Sequence, residues 1–376
     1  MDFLNMNRIF ASSMKTIRFS SILKCIRLLP LAFVFMAGLT GCFTSFEPDI
    51  DSKPVLCMNS LITDGDSIKV SLTRTWRWSE GVVVEGYDQA PIDLVVYDGV
   101  IKLFVDNEYK ETLKLVETEG DYPYRKKKWV YVAEYIPKSG DTIRLEALSE
   151  EYGEASAEVE VPYAVPIENV DYTVKDFVMD GDESSMEDLT YYFDMDLLVW
   201  FSDPGCTTDY YMFKTSTSGH KSGEGDDGSS FSEYIYYSDV SDDPLFSEHV
   251  SALESAVGIY SGYTFFSDRQ ISGKKYSLHV DLDDICYYLR NPSGHPDVGN
   301  AEFYMDLYTI SPSYYKHVIS VWQSNDGIVG SLGGVGLADP VFESSNVSTG
   351  AGVVAAAAVS KYAIPFADIR EKAENN

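Results

Sequence analysis

Five histidines, His220, His249, His279, His295 and His317, are the side chains of this 376-residue sequence best suited to hold a metal or move a proton near neutral pH. Their spacing speaks against a metal site. Metal sites need clustered ligands, and no HExxH or similar pattern brings two of these rings together. His317 falls on a helical pattern and His279 on the polar side of a strand pattern, as solvated or hydrogen-bonded histidines do. The acidic clusters Asp180 to Glu183, Asp226-Asp227 and Asp281 to Asp284 offer oxygens of the kind calcium takes, but none has the EF-hand spacing, and solvated acids are the simpler reading. Gly333-Gly334-Val335-Gly336 lacks the lysine of a phosphate loop and reads as a turn. There is no GxSxG elbow and no CxxC pair. A carboxylate pair for glycoside hydrolysis would come from positions distant in sequence and stays open. No residue is therefore assigned a catalytic, cofactor-binding or metal-ligating role.

One cysteine has a specific setting. Arg8, Lys15, Arg18, Lys24 and Arg27, with the single acid Asp2, precede an apolar run from Leu28 to Leu39 that is too short to span a bilayer, which needs about 20 residues. The run ends in Leu39-Thr40-Gly41-Cys42, which resembles a bacterial lipobox: small residues admit the peptidase, and the Cys42 thiol receives the lipid before cleavage. The resemblance implies a lipoprotein carrying diacylglycerol and palmitate, with residues 1–41 as its signal peptide and 42–53 as a lipidated tether. An uncleaved signal anchor with an incidental cysteine is the alternative, and Met14 could be the true start. The acids Glu47, Asp49 and Asp51 suit a plain extended linker, or part of a signal for display on the cell surface.

Cleavage would remove five of 29 basic and one of 59 acidic residues, leaving 24 against 58 and a formal charge of −34 over 335 residues. Such a chain repels nucleic acid and anionic membrane surfaces, so its membrane contact must come from the lipid. The length favours two domains. With Cys42 lipidated, Cys57, Cys206 and Cys286 allow at most one disulfide, so no disulfide framework holds the fold.

The elements follow from periodicity. Ile68, Val70 and Leu72 alternate with polar residues, and Thr63-Asp64-Gly65-Asp66 is turn chemistry joining this strand to the one containing Val55 and Leu56. Further strands are expected at Asp93 to Tyr97, Ile101 to Val105, Thr112 to Val116, Trp129 to Tyr135, Thr142 to Leu148 and Ala155 to Val161, a spacing that suits a β-sandwich. The basic run Arg125 to Lys128 reads as a solvated loop tip, or as a contact for an acidic partner or lipid head groups. Pro162-Tyr163-Ala164-Val165-Pro166 is a linker.

Beyond it, Tyr191 to Phe201 is a strand, with Tyr210 to Thr215 as its partner across the turn Asp203-Pro204-Gly205. Ser216 to Ser232 is polar enough for a mobile loop, and a short helix around Leu253 to Val257 is weakly indicated. Tyr276 to Leu282 and Ala301 to Ile310 are strands. Tyr315, Val318, Ile319 and Trp322 then recur at helical spacing behind Ser311 as N-cap and Pro312 at the first position. Trp322 should be core, and Asn325-Asp326-Gly327 ends the helix. Val353 to Val359 is alanine-rich and helical by propensity, but Gly350, Gly352 and Pro365 around it favour a buried strand.

Several of these stretches together resemble a family of Bacteroidetes envelope lipoproteins, domain of unknown function 4249. They are Val55 to Trp76, Pro162 to Pro166, Asp203 to Phe213, Phe266 to Leu278, Leu307 to Gln323 and Ala338 to Ala356. The resemblance implies a mainly β fold: an N-terminal Ig-like/carboxypeptidase-regulatory-like β-sandwich (54–161), the linker 162–166, and a larger antiparallel β domain (167–376) with one clear amphipathic helix. Where the family has larger residues in its final glycine-rich strand, this chain has Ala355 to Ala358. Family members tend to be encoded beside TonB-dependent outer-membrane transporters, which implies an accessory role in uptake. The expectation is a lipid-anchored, non-enzymatic accessory of the outer membrane, on either face, that binds the transporter, its cargo or both through exposed aromatic loops of the C-terminal domain such as Tyr234, Tyr236 and Tyr237. An envelope hydrolase acting on glycans or peptides, with an acid pair in the C-terminal domain, is the alternative.

Overall fold

The computed structural model describes residues 53–75, 94–118, 128–181, 188–218, 221–224, 230–240, 243–250, 264–290, 299–325, 327, 330–332, 339 and 341–375. The protein is mainly β, with most strands antiparallel. In β1 (Leu56–Thr63) alternation buries Leu56, Met58 and Ile62, and in β2 (Lys69–Arg74) it buries Val70 and Leu72. The turn between them places Gly65 at φ 83°, and the two strands pair as expected. β3 (Val100–Val105) and β4 (Glu108–Thr112) form a hairpin whose two linking residues, Asp106 and Asn107, both have positive φ, the geometry that matches strand twist. β5 (Lys114–Thr118), β6 (Lys128–Val132), β7 (Thr142–Ser149) and β8 (Gly153–Glu160) complete this half. Of the expected strand near Asp93, only an isolated bridge from Val95 to Thr73 is formed.

The C-terminal half contributes β9 (Ile167–Asp180), β10 (Leu189–Ser202), β11 (Tyr210–Thr217), β12 (Lys221–Glu224) and β13 (Ser230–Val240). After these come β14 (Phe265–Ser267), β15 (Lys275–Arg290), β16 (Glu302–Ile310) and β17 (Val354–Pro365). The longer helices among the described residues are α1 (Pro312–Asn325) and α2 (Phe366–Glu374), the second of which has no counterpart in the expectations from sequence. Two expectations are corrected. β11 does not pair with β10 across Asp203-Pro204-Gly205; β10 lies between β9 and β15, while β11 lies between β14 and β16, so the turn carries the chain from one sheet to another. The stretch 216–232, expected as a loop, contains β12, which forms a hairpin with β13. The helix expected around Leu253 to Val257 lies outside the described residues.

Among the described residues three sheets result. One has the order β4-β3-β7-β8, one β12-β13-β15-β10-β9, and the largest β14-β11-β16-β17-β1-β2-β6-β5. One core gathers Leu56, Val70, Ile101, Leu145 and Val161; the other gathers Phe193, Phe201, Tyr211, Leu282, Phe303 and Ile369. They divide at residues 162–166, except that Val347, Val354 and Ala356 join the first core.

The exception arises because β17 runs parallel to β1, with Ser60 opposite Val354 and Thr63 opposite Ala357. Residues 354–358 are all buried, so both faces of this strand are covered and its alternation disappears. Alanine then serves as a small side chain rather than a helix former, and leaves room for α1. The Ser311 hydroxyl fixes that helix: it accepts from Tyr314 N at 3.4 Å, as an N-cap does, and from Ala356 N at 3.0 Å. Tyr314, Tyr315 and Val318 pack with Phe265, Ile310 and Ala357, and Trp322 is 1% exposed.

Candidate functional site

The residues singled out in the sequence are placed as follows. Leu39, Thr40, Gly41 and Cys42 lie outside the described residues, as do His220, His295, Asp226, Asp227, residues 125–127 and Gly333 to Gly336. His249 meets the edge of Trp322 at 4.8 Å, His317 Nδ1 lies 2.8 Å from the Ser344 carbonyl, and His279 sits beside Asp281 on β15. Three separate locations thus account for the described histidines. Cys57, Cys206 and Cys286 are free thiols. A groove of about 410 Å³ lies on the outer face of the four-stranded sheet, with Lys102, Glu146, Leu148, Glu154 and Thr349 in its lining. Its Glu146 is ion-paired with Arg144.

Tyr234, Tyr236 and Tyr237 belong to strand β13 rather than to a loop. Period two sends Tyr237 inward against the second core and leaves Tyr234 and Tyr236 on the outer face. Strand register then builds a surface that the local sequence does not reveal. Tyr236 is opposite Cys286, which is opposite Tyr192, which is opposite Val178; one row over, Tyr234 is opposite Tyr288 and Tyr288 opposite Thr190. Tyr236 is 61% exposed, Val178 56% and Tyr192 46%. The Tyr234 and Tyr236 rings stack at 6.5 Å with planes 12° apart, and Tyr234 and Tyr288 at 6.2 Å and 23°. Tyr288 donates to Asp188 at 2.6 Å, a bond that raises its own pKa. The face therefore combines aromatic rings, which bury a large apolar area when covered, with hydroxyl rims that can hydrogen-bond.

A second constellation was missed entirely by sequence reasoning. The carboxylates of Asp203, Asp209 and Asp268 each place an oxygen within 4.8 Å of the others. Asp203 follows β10, Asp209 precedes β11 and Asp268 follows β14, so three strand ends position them. Asp203 accepts from Tyr211 Oη at 2.5 Å and from Gly273 N at 3.0 Å, and Asp209 accepts from Thr207 Oγ1 at 2.5 Å. Burial raises the Asp209 pKa; the Thr207 bond opposes the shift, and the charges of Asp203 and Asp268 add to it. The only advance signal was that Asp203 to Phe213 and Phe266 to Leu278 both carried the family resemblance, which says nothing of their meeting.

A family model described as domain of unknown function (DUF4249) matches residues 44–363. No curated protein matches the chain.

Proposed function

The chain belongs to the family described as domain of unknown function (DUF4249), and from that premise we propose that it is a lipid-anchored, non-enzymatic accessory protein of the bacterial outer membrane that holds a TonB-dependent transporter or its cargo against the tyrosine face of its five-stranded sheet. The observation that carries this reading is the pair of rows built from Tyr192, Tyr234, Tyr236 and Tyr288 on one face of the sheet, with Tyr192 and Tyr236 exposed and Tyr234 and Tyr288 half-buried between them. Tyrosines are favoured at interfaces, since they bury a large apolar area and keep a polar tip. The formal charge of −30 favours a partner that is neutral or basic at the contact and disfavours nucleic acid. Lipidation at Cys42 would supply the membrane attachment, and the residues after it the reach.

The test is an affinity pull-down of the lipidated protein from detergent-solubilised envelope. Wild type is expected to recover a β-barrel transporter in comparable amount, a Tyr192→Ala/Tyr236→Ala variant much less, and Cys42→Ala should fail to reach the membrane. Recovery of wild type alone, despite correct anchoring, would count against a stable transporter complex.

A further inference from the structure

We propose that Asp203, Asp209 and Asp268 form a binding site for one divalent cation of the calcium class. The backbone fixes their positions. Tyr210 pairs with Ser267, so Asp209 and Asp268 are neighbours just beyond that pair, and Asp268 N donates to the Asp209 carbonyl at 3.0 Å. The loops carrying Asp203 and Gly273 are pressed together: a Cβ on Gly205 would lie 2.9 Å from Gly273 Cα. The three carboxylates are therefore held by short, closely packed connections.

Their separation suits a shared ion. Two oxygens on opposite sides of a calcium ion, each at about 2.4 Å, stand about 4.8 Å apart, and these three all fall within 4.8 Å of one another. Asp268 supplies a second, separate observation. It is 4% exposed, its carboxylate is aimed at the other two, and among the described residues it has neither a hydrogen-bond donor nor a basic partner. Asp203 is 5% exposed, but both of its oxygens have donors. A carboxylate this little exposed, with no protein donor, has only the trace of solvent that reaches its oxygens to satisfy it, and a cation shared with Asp203 and Asp209 would take that place. Calcium tolerates irregular oxygen sets completed by water or carbonyls, whereas magnesium demands near-octahedral geometry at shorter distances. This inference stands apart from the tyrosine face and does not depend on it.

The experiment uses the full chain in detergent, stripped with chelator, titrated with calcium chloride and in parallel with magnesium chloride, and followed by calorimetry and by thermal melting. One calcium ion per chain is expected to bind and to raise the melting temperature. Asp268→Asn and Asp209→Asn should each weaken binding about tenfold or more, since affinity follows the number of charged ligands. Without metal, Asp268→Asn should melt no lower than wild type, because it removes a buried charge and keeps the shape. Asp284→Asn, an exposed acid outside the cluster, should bind as wild type does. An equal calcium response in wild type and both cluster variants, or none in any, overturns the site; a response to magnesium alone overturns the assignment to calcium.

Discussion

Tyr211 donates its hydroxyl to a carboxylate oxygen of Asp203 at 2.5 Å, and both side chains are buried. The arrangement recurs: Tyr276 donates to Asp243, Tyr287 to Glu233, Tyr315 to Glu248 and Tyr135 to Asp141. In a chain with 59 acidic residues, 29 basic residues and 27 tyrosines, phenols serve as donors to inward-facing carboxylates, and at Glu233 the phenol does so alongside Lys221 Nζ at 3.6 Å. A hydrogen bond to an ionised acceptor is stronger than a neutral one, and the phenol ring brings apolar area that a lysine cannot.

Alkaline pH should therefore destabilise this protein more abruptly than acid–base pairing would. Burial first, and then the adjacent carboxylate, push Tyr276 and Tyr135 up to about 12 and raise Tyr211, Tyr287 and Tyr315 as well. An unfolded tyrosine titrates near pH 10. Below about pH 10 both states keep the proton and the contribution is fully present. Above it the unfolded chain loses protons first, so stability falls as pH rises towards the folded pKa values. Urea midpoints should be flat from about pH 7 to 9 and drop steeply beyond about 10, with phenolate absorbance of the buried tyrosines appearing only as the fold is lost. Smooth ionisation of every tyrosine with the fold intact would contradict this.

Local pattern was enough for the elements that have one wet face. Tyr276, Leu278, Val280 and Leu282 announce β15, and Ser311-Pro312 with the spacing to Trp322 announces α1, because one side of each is buried and the other is not. Two-sided burial erased the pattern at Ala355 to Ala358, where glycines and family resemblance rather than periodicity indicated the strand. Long-range pairing was not legible at all. Nothing near Ser60 announces Val354, and nothing near Asp209 announces Asp268, since each encounter is set by which strand edges remain open after the others have paired. The tyrosine face had the same history: Tyr234 and Tyr236 were visible as residues, but Tyr192, Cys286 and Tyr288 join them only through register.

Gly352 should be among the least replaceable glycines of the described fold. It has φ 99°, and a Cβ there would collide with the Met58 carbonyl and come 2.8 Å from Asn59 Oδ1, where β17 is brought alongside β1. Gly65 also has a positive φ, 83°, but nothing lies within 4 Å of a Cβ there. Gly65→Ala should cost about 1–2 kcal/mol, the backbone penalty alone. Gly352→Ala should cost clearly more, since backbone rather than a flexible side chain must give way. Equal urea midpoints for the two variants would show that the β1–β17 approach is not tight.

Cys286 can report on the tyrosine face without altering it. The half-buried thiol belongs to the row between Tyr236 and Tyr192, while Cys206 is exposed in the turn region after β10. In purified protein, a maleimide should label Cys206 fast and Cys286 more slowly, in proportion to access. In native envelope, a partner seated on the tyrosines should slow Cys286 about tenfold or more while Cys206 keeps its rate, because only the first lies beneath the contact. Tyr236→Ala should reverse that protection and leave stability within about 0.5 kcal/mol, as expected for an exposed site. Identical Cys286 rates in purified protein and in envelope would mean that this face stays open to water, and the contact with any partner would have to be sought elsewhere on the molecule.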